Sequence, residues 1–250
     1  MIATIRYNSK NYKIDLTKPL DISIPLQGGE KNVNAWYLGP PKIEAHQEGD
    51  FVGSVAQGAP VNFNDICFNP HSHSTHTECL GHITKEFHSV NKNLKHYFFL
   101  AEVVTVAPEQ LGEDFVISAK QLKYALGNKK REALVIRTLP NLTDKCSHNY
   151  SDTNPPYLLE EAAHYLVQKG VQHLLIDVPS VDKERDNGAL LSHNAFWNIK
   201  GKLREKATIT ELIYVPNKVK DGTYFLNLQV APFENDASPS RPVLYKIEKK

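Results

Sequence analysis

The spacing of apolar residues along the chain predicts a protein built mainly from β-strands. Alternating apolar and polar residues at 4–7 and 12–15 flank a polar turn, which indicates an opening hairpin. Further apolar segments of strand length follow at 20–26, 51–55, 61–68, 98–106, 133–138, 213–215, 224–231 and 243–247. Among them, residues 98–106 are almost entirely apolar and indicate a strongly buried strand.

Two segments carry the signals of helices. Ser118 is a good N-cap, with Gln121 three residues later and Gly127 beyond the last turn. Residues 158–169 have amphipathic helical spacing and lead into an apolar strand at 171–178. A strand–helix–strand unit favours parallel strands with the helix as crossover. The sequence therefore predicts a mixed α/β fold, and the uniform composition of its 250 residues predicts a single domain.

Composition and charge narrow the classes of partner. A net charge of +1 gives no indication that the protein binds nucleic acid or an anionic membrane. The basic runs at 129–131 and 249–250 are short and are typical of solvated surface. Cys67, Cys79 and Cys146 are too few for a disulfide framework. The chain shows neither the apolar core of a signal peptide nor a run that could span a bilayer. We therefore expect a cytoplasmic protein that acts on a small molecule.

Residues 69–82 are unusually rich in metal-binding side chains. Four of the eleven histidines and one glutamate fall within this segment, namely His71, His73, His76, Glu78 and His82. Imidazole and carboxylate are ordinary ligands of divalent ions, and an ion needs several of them at one point. In an extended strand His76, Glu78 and His82 would project from the same face. The segment therefore predicts a metal site.

One strand cannot complete a coordination sphere, so distant ligands are expected. Glu211 is a lone carboxylate in the apolar, β-branched run 207–213, where burial is costly unless the group is paired or binds a metal. A salt bridge to Arg204 or Lys206 is the alternative. His193 opens a predicted helix, and its alternative is a hydrogen bond to a backbone carbonyl. Both are candidate ligands.

Several motifs resemble those of the cyclase-like metal-dependent hydrolases, the family that includes bacterial kynurenine formamidases. Their signature His-x-Gly-Thr-His-x-Asp-x-Pro-x-His resembles Ser72-His-Ser-Thr-His-Thr-Glu-Cys-Leu-Gly-His82. Other family phrases resemble residues 21–26, 176–182, 192–195 and 237–243, in the same order along the chain. The resemblance covers nearly the whole chain and implies a swivelling β/β/α, cyclase-like fold.

The chain departs from that signature at two ligand positions. Ser72 stands where the family has its first ligand histidine, so either His71 or His73 would supply the imidazole or that ligand is lost. We favour His71, because the turn at Pro70 can redirect its side chain. Glu78 replaces the usual aspartate, which keeps the carboxylate but adds a methylene. Leu80 replaces the proline within the motif.

The resemblance implies a role for each candidate. His76, Glu78 and either His71 or His73 would hold one divalent ion, zinc or manganese. Glu78 would bridge to a second ion held by His193 and Glu211. His82 would donate and accept the proton, and Trp36 would contact the substrate, although a large aromatic in a loop is often a core residue. The family also implies a homodimer or homotetramer.

The expected activity is metal-dependent hydrolysis of an amide, a formamide, or a related ester or lactone. A metal ion lowers the pKa of bound water to about 7, and a neighbouring histidine can protonate the leaving group. The alternatives are a metal-dependent dehydratase or cyclase, and a non-catalytic metal-binding or small-molecule-binding relative. Fold and ligands do not choose the substrate.

Other candidates have less specific interpretations. We expect Cys79 to be a packed thiol, since it has opposite strand parity to Glu78. Asp177 and Asp182 follow a predicted strand and are either hydrogen-bond acceptors for metal ligands or turn-stabilising residues. Five further histidines have no partnered spacing and are expected to be structural or exposed, namely His88, His96, His148, His164 and His173.

Overall fold

The computed structural model describes residues 1–248, and the basic pair Lys249 and Lys250 lies outside the described residues. The strands are β1 (Ile2–Tyr7), β2 (Lys10–Asp15), β3 (Leu20–Asp21), β4 (Lys42–Ala45), β5 (Gln47–Glu48), β6 (Phe51–Val52), β7 (Asn64–Cys67), β8 (His76–Glu78), β9 (Phe98–Val106), β10 (Glu109–Leu111), β11 (Asp114–Ile117), β12 (Ala133–Thr138), β13 (Tyr157–Leu158), β14 (His173–Ile176), β15 (Thr208–Glu211), β16 (Gly222–Asn227), β17 (Ala237–Pro239) and β18 (Val243–Glu248). The helices are α1 (Pro70–His73), α2 (Val90–Asn93), α3 (Ala119–Leu126), α4 (Glu160–Lys169) and α5 (Leu191–Trp197). Within residues 1–248 no helix is both long and apolar enough to cross a membrane.

Most strands belong to one large mixed sheet. Its order is β1-β2-β18-β16-β9-β12-β14-β15-β8-β17, and β3 pairs with β18 beside this path. A smaller sheet contains β10, β11 and β13, and two further pairs, β4-β7 and β5-β6, lie outside the large sheet. The predicted mixed α/β class is confirmed.

The centre of the large sheet consists of four parallel strands. The parallel pairs are β9–β12, β12–β14 and β14–β15, and the intervening helices are α3, α4 and α5. Each connection is therefore a strand–helix–strand crossover, as predicted for the helix that begins near residue 158. At one edge of this parallel core, β8 joins β15 in antiparallel orientation. That edge carries the histidine-rich segment.

The core forms on both faces of the parallel strands. On one face Leu134 and Ile136 of β12 pack with helix residues, including Leu166 and Trp197. On the other face Val135 packs with apolar residues of the antiparallel strands. All six residues of β12 are buried, which explains why its first four residues form a continuous apolar run rather than an alternating one.

Local signals predict the central elements well. Strands β9 and β12 have the predicted bounds, and the opening hairpin forms β1 and β2. Ser118 and Gln121 form a capping box at the start of α3. Gly170 ends α4 in the left-handed conformation, with a φ of 80°.

Peripheral strand predictions are partly wrong. Residues 20–26 form a strand only at Leu20–Asp21, and the predicted strands at 51–55 and 61–68 shorten to β6 and β7. Residues 213–215 make only a single bridge, from Ile213 to Ser23. The chain turns before them at Leu212, whose φ is 52°, so the strand in this region is β15 instead. Short apolar segments predict burial, but pairing partners decide whether a ladder forms.

Candidate metal centre

Strand β8 places two candidate ligands on one face, deep in the protein. His76 and Glu78 are both 0% exposed, and alternate residues of a strand project to the same side. The antiparallel register sets His76 opposite Glu211 of β15. As a result Nε2 of His76 lies 3.4 Å from Oε2 of Glu211. Pairing of strands that are more than a hundred residues apart therefore builds the first part of the site.

The one-turn helix α1 directs His71 into the same space. The Asn69 side chain caps this helix by accepting a hydrogen bond from the backbone N–H of His71 at 2.9 Å. Nδ1 of His71 then lies 3.2 Å from Oε2 of Glu78, and its Nε2 lies 3.0 Å from Oδ2 of Asp236.

His73 and Ser72 point away from this cluster. Nδ1 of His73 accepts a hydrogen bond from the backbone N–H of Asn69 at 2.9 Å, and its Nε2 donates to the Gly39 carbonyl at 3.0 Å. The Ser72 hydroxyl lies 2.6 Å from the carbonyl oxygen of Ala35. Of the two histidines that flank Ser72, the helical turn brings His71 to the cluster and buries His73 as a hydrogen-bonding residue of the loop.

His82 reaches the cluster by a route that strand parity does not predict. Strand β8 ends at Glu78, and Leu80–His82 form a 3-10 turn, so the prediction of one extended strand through His82 is wrong. Gly81 permits this turn, because a Cβ there would lie 2.4 Å from the carbonyl oxygen of His88. Nε2 of His82 lies 3.7 Å from Oε2 of Glu78, and the side chain remains 30% exposed. The turn thus presents His82 at the open side of the cluster.

Helix α5 supplies His193 from the other side. Asp182 accepts a hydrogen bond from Nδ1 of His193 at 2.6 Å. Nε2 of the same ring lies 3.0 Å from Oε1 of Glu78 and 3.8 Å from Oε1 of Glu211. Of the two interpretations of Asp182, the structure shows the hydrogen-bond acceptor for a candidate ligand.

Glu211 does not form the alternative salt bridge. Its Oε1 accepts a hydrogen bond from the backbone N–H of Val181 at 2.8 Å, and its Oε2 faces His76. Arg204 instead donates to the carbonyl oxygens of Phe196 and Val171. The buried carboxylate of Glu211 is therefore held toward the imidazoles.

The surroundings of the cluster raise the pKa of two of its imidazoles. Burial disfavours the charged ring of His71, but the adjacent carboxylates of Asp236 and Glu78 outweigh it and raise the pKa of His71 to about 10. Burial likewise opposes the charge on His193, yet Asp182 and Glu78 raise its pKa well above the ordinary value. The protons on these two rings supply positive charge that a metal ion could replace.

The carboxylate pKa values shift in the complementary direction. Burial alone would raise the pKa of Glu78, but the surrounding imidazoles, first that of His82, hold it well below its usual range. Hydrogen bonds from His71 and His82 lower the pKa of Asp236. Both groups are therefore anionic acceptors at neutral pH.

Two buried atoms lack hydrogen bonds where an ion would sit. Nε2 of His76 and Oε2 of Glu78 are shielded from solvent and have no hydrogen-bond partner. Buried polar atoms are almost always satisfied, so this unmatched pair of donor atoms fits a site for a cation. Three sets of side chains have ligand atoms within 4.8 Å of one another: His71, His76 and Glu78; Glu78, His82 and His193; and His71, His82 and Asp236. Nitrogen and oxygen donors of this kind fit zinc or manganese.

Asp236 is the residue that sequence reasoning missed. It immediately precedes β17, whose register sets Ala237 opposite Glu78. The available signal was its position directly before the family-like phrase at 237–243, which contains no carboxylate of its own. Only the pairing of β17 with β8 shows that Asp236 reaches the cluster.

A cavity of about 390 Å³ opens above these side chains. Its wall includes Trp36, Leu38 and Leu190, and its floor includes His71, His82, His193 and Glu211. The indole Nε1–H of Trp36 donates to the carbonyl oxygen of His71 at 3.2 Å, which holds the ring beside the cluster. Trp36 is therefore a wall residue of the cavity rather than a fully buried core residue.

The family model of putative cyclases matches residues 14–183, which is more than half of the chain. The chain therefore belongs to the putative cyclase family. A kynurenine formamidase from Bacillus cereus is 27% identical to this cyclase-family chain over 233 residues, which cover 91% of the chain and 97% of that relative.

Solved structures share the fold of this cyclase-family chain. A predicted metal-dependent hydrolase from Bacillus stearothermophilus has a TM-score of 0.65 at 16% identity, covering 91% of this chain and 98% of its own. An isatin hydrolase bound to the product analogue thioisatinate also has a TM-score of 0.65 at 16% identity, with 92% and 93% covered. The cyclase-like fold implied by the sequence motifs is confirmed.

Other candidates of the cyclase-family chain lie outside the cluster. Asp177 accepts hydrogen bonds from the Thr138 backbone N–H and from Lys145, which is a structural role. The Cys79 thiol is buried and donates to the His88 carbonyl. His173 packs against Phe99, with ring centroids 4.0 Å apart.

Proposed function

We propose that this cyclase-family protein is a metal-dependent hydrolase that cleaves an amide, a formamide, or a related ester or lactone. The observation that carries the proposal is the pair of unmatched buried atoms, Nε2 of His76 and Oε2 of Glu78, beneath an open cavity. The kynurenine formamidase relative and the isatin hydrolase neighbour support a substrate whose carbon–nitrogen bond is broken.

The proposed ligand set combines the distances within the cluster with the resemblance to the family motifs. His71, His76 and Glu78 would hold one divalent ion, since their ligand atoms lie within 4.8 Å of one another. Glu78, His193 and Glu211 would hold a second, since Nε2 of His193 lies 3.0 Å from Oε1 of Glu78 and 3.8 Å from Oε1 of Glu211. When bound, such an ion would lower the pKa of a coordinating water to about 7 and polarise the substrate carbonyl. Nitrogen and carboxylate donors suit either zinc or manganese.

His82 is the proposed proton carrier. It is the most exposed imidazole of the cluster, and it lies in the floor of the cavity, where a substrate would bind. Its ring accepts the proton of the attacking water and returns it to the leaving nitrogen or oxygen as the carbonyl–heteroatom bond breaks. The products are a carboxylic acid and an amine or alcohol, so no oxidant or other reactant is needed.

The cavity wall favours a substrate that carries a flat, partly apolar aryl group. The indole of Trp36 and the side chains of Leu38 and Leu190 provide apolar surface in a lining that also contains charged residues. We propose that Trp36 packs against the substrate, since its Nε1–H is already bonded to the His71 carbonyl. An aryl formamide or aryl lactam fits this combination.

Metal analysis and a substrate panel test the proposal. We expect at least one equivalent of zinc or manganese per purified chain and a lower melting temperature after chelation. Formanilides, isatin and simple lactones are assayed with the metal-loaded protein. We expect hydrolysis of at least one, and a loss of about 10²- to 10⁴-fold in kcat for His82→Ala with metal content retained.

A histidine remote from the cavity provides the matched control. His164 lies on α4, its side chain is 52% exposed, and it faces Glu160 of the same helix. His164→Ala should keep both the metal content and the activity of the parent protein. Absence of bound metal together with an unchanged melting temperature in chelator would overturn the metal assignment. Full metal content without hydrolysis of any panel member would instead favour a cyclase, dehydratase or binding role.

A further inference from the structure

Asp236 occupies a distinctive place at the edge of the cluster. One carboxylate oxygen, Oδ2, lies 3.0 Å from Nε2 of His71 and 3.4 Å from Nδ1 of His82. The two rings lie side by side, with centroids 4.4 Å apart and an angle of 30° between their planes. A single carboxylate therefore contacts both a proposed ligand and the proposed proton carrier.

The opposite nitrogen of each ring faces Glu78. Nδ1 of His71 lies 3.2 Å from Oε2 of Glu78, and Nε2 of His82 lies 3.7 Å from the same oxygen. The two imidazoles are thus placed between Asp236 on one side and Glu78 on the other. On the Glu78 side lie the unmatched atoms where the ion is expected.

A neutral imidazole carries one N–H and one lone pair, and its hydrogen bonds decide which nitrogen carries the proton. A carboxylate can accept a hydrogen bond but cannot donate one when ionised. Asp236 therefore favours the N–H on Nε2 of His71 and on Nδ1 of His82. This arrangement leaves the lone pairs on Nδ1 of His71 and Nε2 of His82, the two nitrogens that face Glu78.

The backbone around Asp236 is fixed on both sides. Its carbonyl oxygen accepts a hydrogen bond from the backbone N–H of Cys79 at 3.0 Å, and the preceding carbonyl, that of Asn235, accepts from Val90 at 2.9 Å. Ala237 then begins β17 and pairs with β8. The side chain thus starts from a rigid position, which is what an orienting residue requires.

We propose that Asp236 is a positioning residue that sets the tautomers of His71 and His82 together. Through His71 it prepares a nitrogen to bind the ion, and through His82 it prepares a nitrogen to accept the proton of water. The expected effect of Asp236 on catalysis rests on the proposed function. Its tautomer and metal-affinity consequences can be measured without any turnover.

Asp236→Asn is the informative variant. The amide is nearly isosteric but uncharged, so its oxygen is a weaker acceptor than the carboxylate, and its NH₂ group donates rather than accepts when it is turned toward a ring. At least one ring should then change its tautomer. In zinc-loaded parent protein, ¹⁵N spectra of the histidine rings should show His71 protonated at Nε2 and His82 protonated at Nδ1. In zinc-loaded Asp236→Asn one or both patterns should be lost.

Metal affinity gives the second readout. Loss of a carboxylate that orients a ligand histidine weakens metal binding about 10- to 100-fold, while saturating zinc still fills the site. We expect this change in the Kd for zinc, measured by competition with a chelating dye. If a substrate of the panel is hydrolysed, kcat at saturating zinc should also fall by at least about tenfold with little change in KM.

Glu234→Gln is the matched control, because Glu234 lies two residues away with a 49% exposed side chain and pairs with Lys92 outside the cluster. It should leave the spectra and the zinc affinity unchanged. Asp236→Ala checks that the effects come from losing the carboxylate rather than from the new amide. Unchanged ring tautomers with a zinc Kd within twofold of the parent would overturn the proposal. Loss of zinc stoichiometry at saturation would also overturn it, since Asp236 would then be a ligand.

Discussion

Asp182 and His193 form a short hydrogen bond, 2.6 Å from Oδ2 to Nδ1, which fixes the direction of the imidazole. Oδ1 of the same carboxylate accepts from the backbone N–H of Ser192, so Asp182 also holds the first turn of α5. With Nδ1 occupied, Nε2 of His193 is directed to Glu78 at 3.0 Å. A carboxylate in this place orients a ligand histidine and increases its basicity.

Asp182→Asn should therefore weaken metal binding. The amide can rotate its NH₂ group toward His193 and remove the acceptor for the Nδ1 proton, so we expect about a 10- to 100-fold higher Kd for zinc. Isothermal titration of metal-free protein with zinc measures the change. Asp144→Asn, at an exposed carboxylate, is the control and should bind like the parent. Equal affinities for the parent and Asp182→Asn would contradict the orienting role.

His71 and His73 should respond differently to substitution. His71→Ala removes a nitrogen that faces Glu78, so we expect metal content to fall by about one ion per chain or its affinity by at least about 100-fold. His73→Ala should retain the metal but lower the free energy of unfolding by about 1–3 kcal/mol, because the Asn69 N–H and Gly39 carbonyl lose their partner. Elemental analysis of the metal content and thermal unfolding distinguish the two variants. Metal loss from His73→Ala alone would reverse the assignment.

His173 should make the protein sensitive to acid. Burial, together with the charge of Arg204, lowers the pKa of His173 to about 3 from an ordinary 6.5. Between pH 6.5 and pH 3 the ring of His173 is protonated in the unfolded chain but stays neutral in the folded protein. The free energy of unfolding that depends on the neutral ring is therefore fully present above pH 6.5 and decreases as the pH falls toward 3. In urea unfolding experiments, the free energy of unfolding should decrease less between pH 7 and pH 4 for His173→Asn than for the parent protein. Parallel curves would show that His173 is not responsible.

Trp197 should be a major contributor to stability. It is fully buried, its Nε1–H donates to the Ala207 carbonyl at 3.0 Å, and its ring stacks on His193. Trp197→Ala should lower the free energy of unfolding by about 3–5 kcal/mol, through lost burial and the resulting cavity. Tyr124→Ala, at a side chain that is 94% exposed, should change it by less than about 0.5 kcal/mol. Chemical unfolding of the parent, Trp197→Ala and Tyr124→Ala proteins measures these differences.

Much of the fold is predictable because its central elements carry strong local patterns. Apolar runs define β9 and β12, and the capping box at Ser118 marks the start of α3. Weakly apolar peripheral segments are less informative, because a few buried residues can pack without a strand ladder. Residues 20–26 illustrate this, since only Leu20 and Asp21 pair as a strand.

The candidate site also has a part that is predictable from local sequence and a part that is not. By itself the sequence determined that imidazoles and carboxylates are concentrated at 69–82, that His76 and Glu78 share a strand face, and that Glu211 lies in an apolar run. These properties follow from residue identity and strand period, which act over a few residues.

Tertiary structure alone decided which groups meet. The one-turn helix at Pro70 separates His71 from His73, and the 3-10 turn at Gly81 returns His82 to Glu78. Pairing of β17 with β8 brings Asp236 to both rings from more than a hundred and fifty residues away. Local patterns encode the period of an element but not its distant partner, because strand order and register arise from packing of the whole sheet.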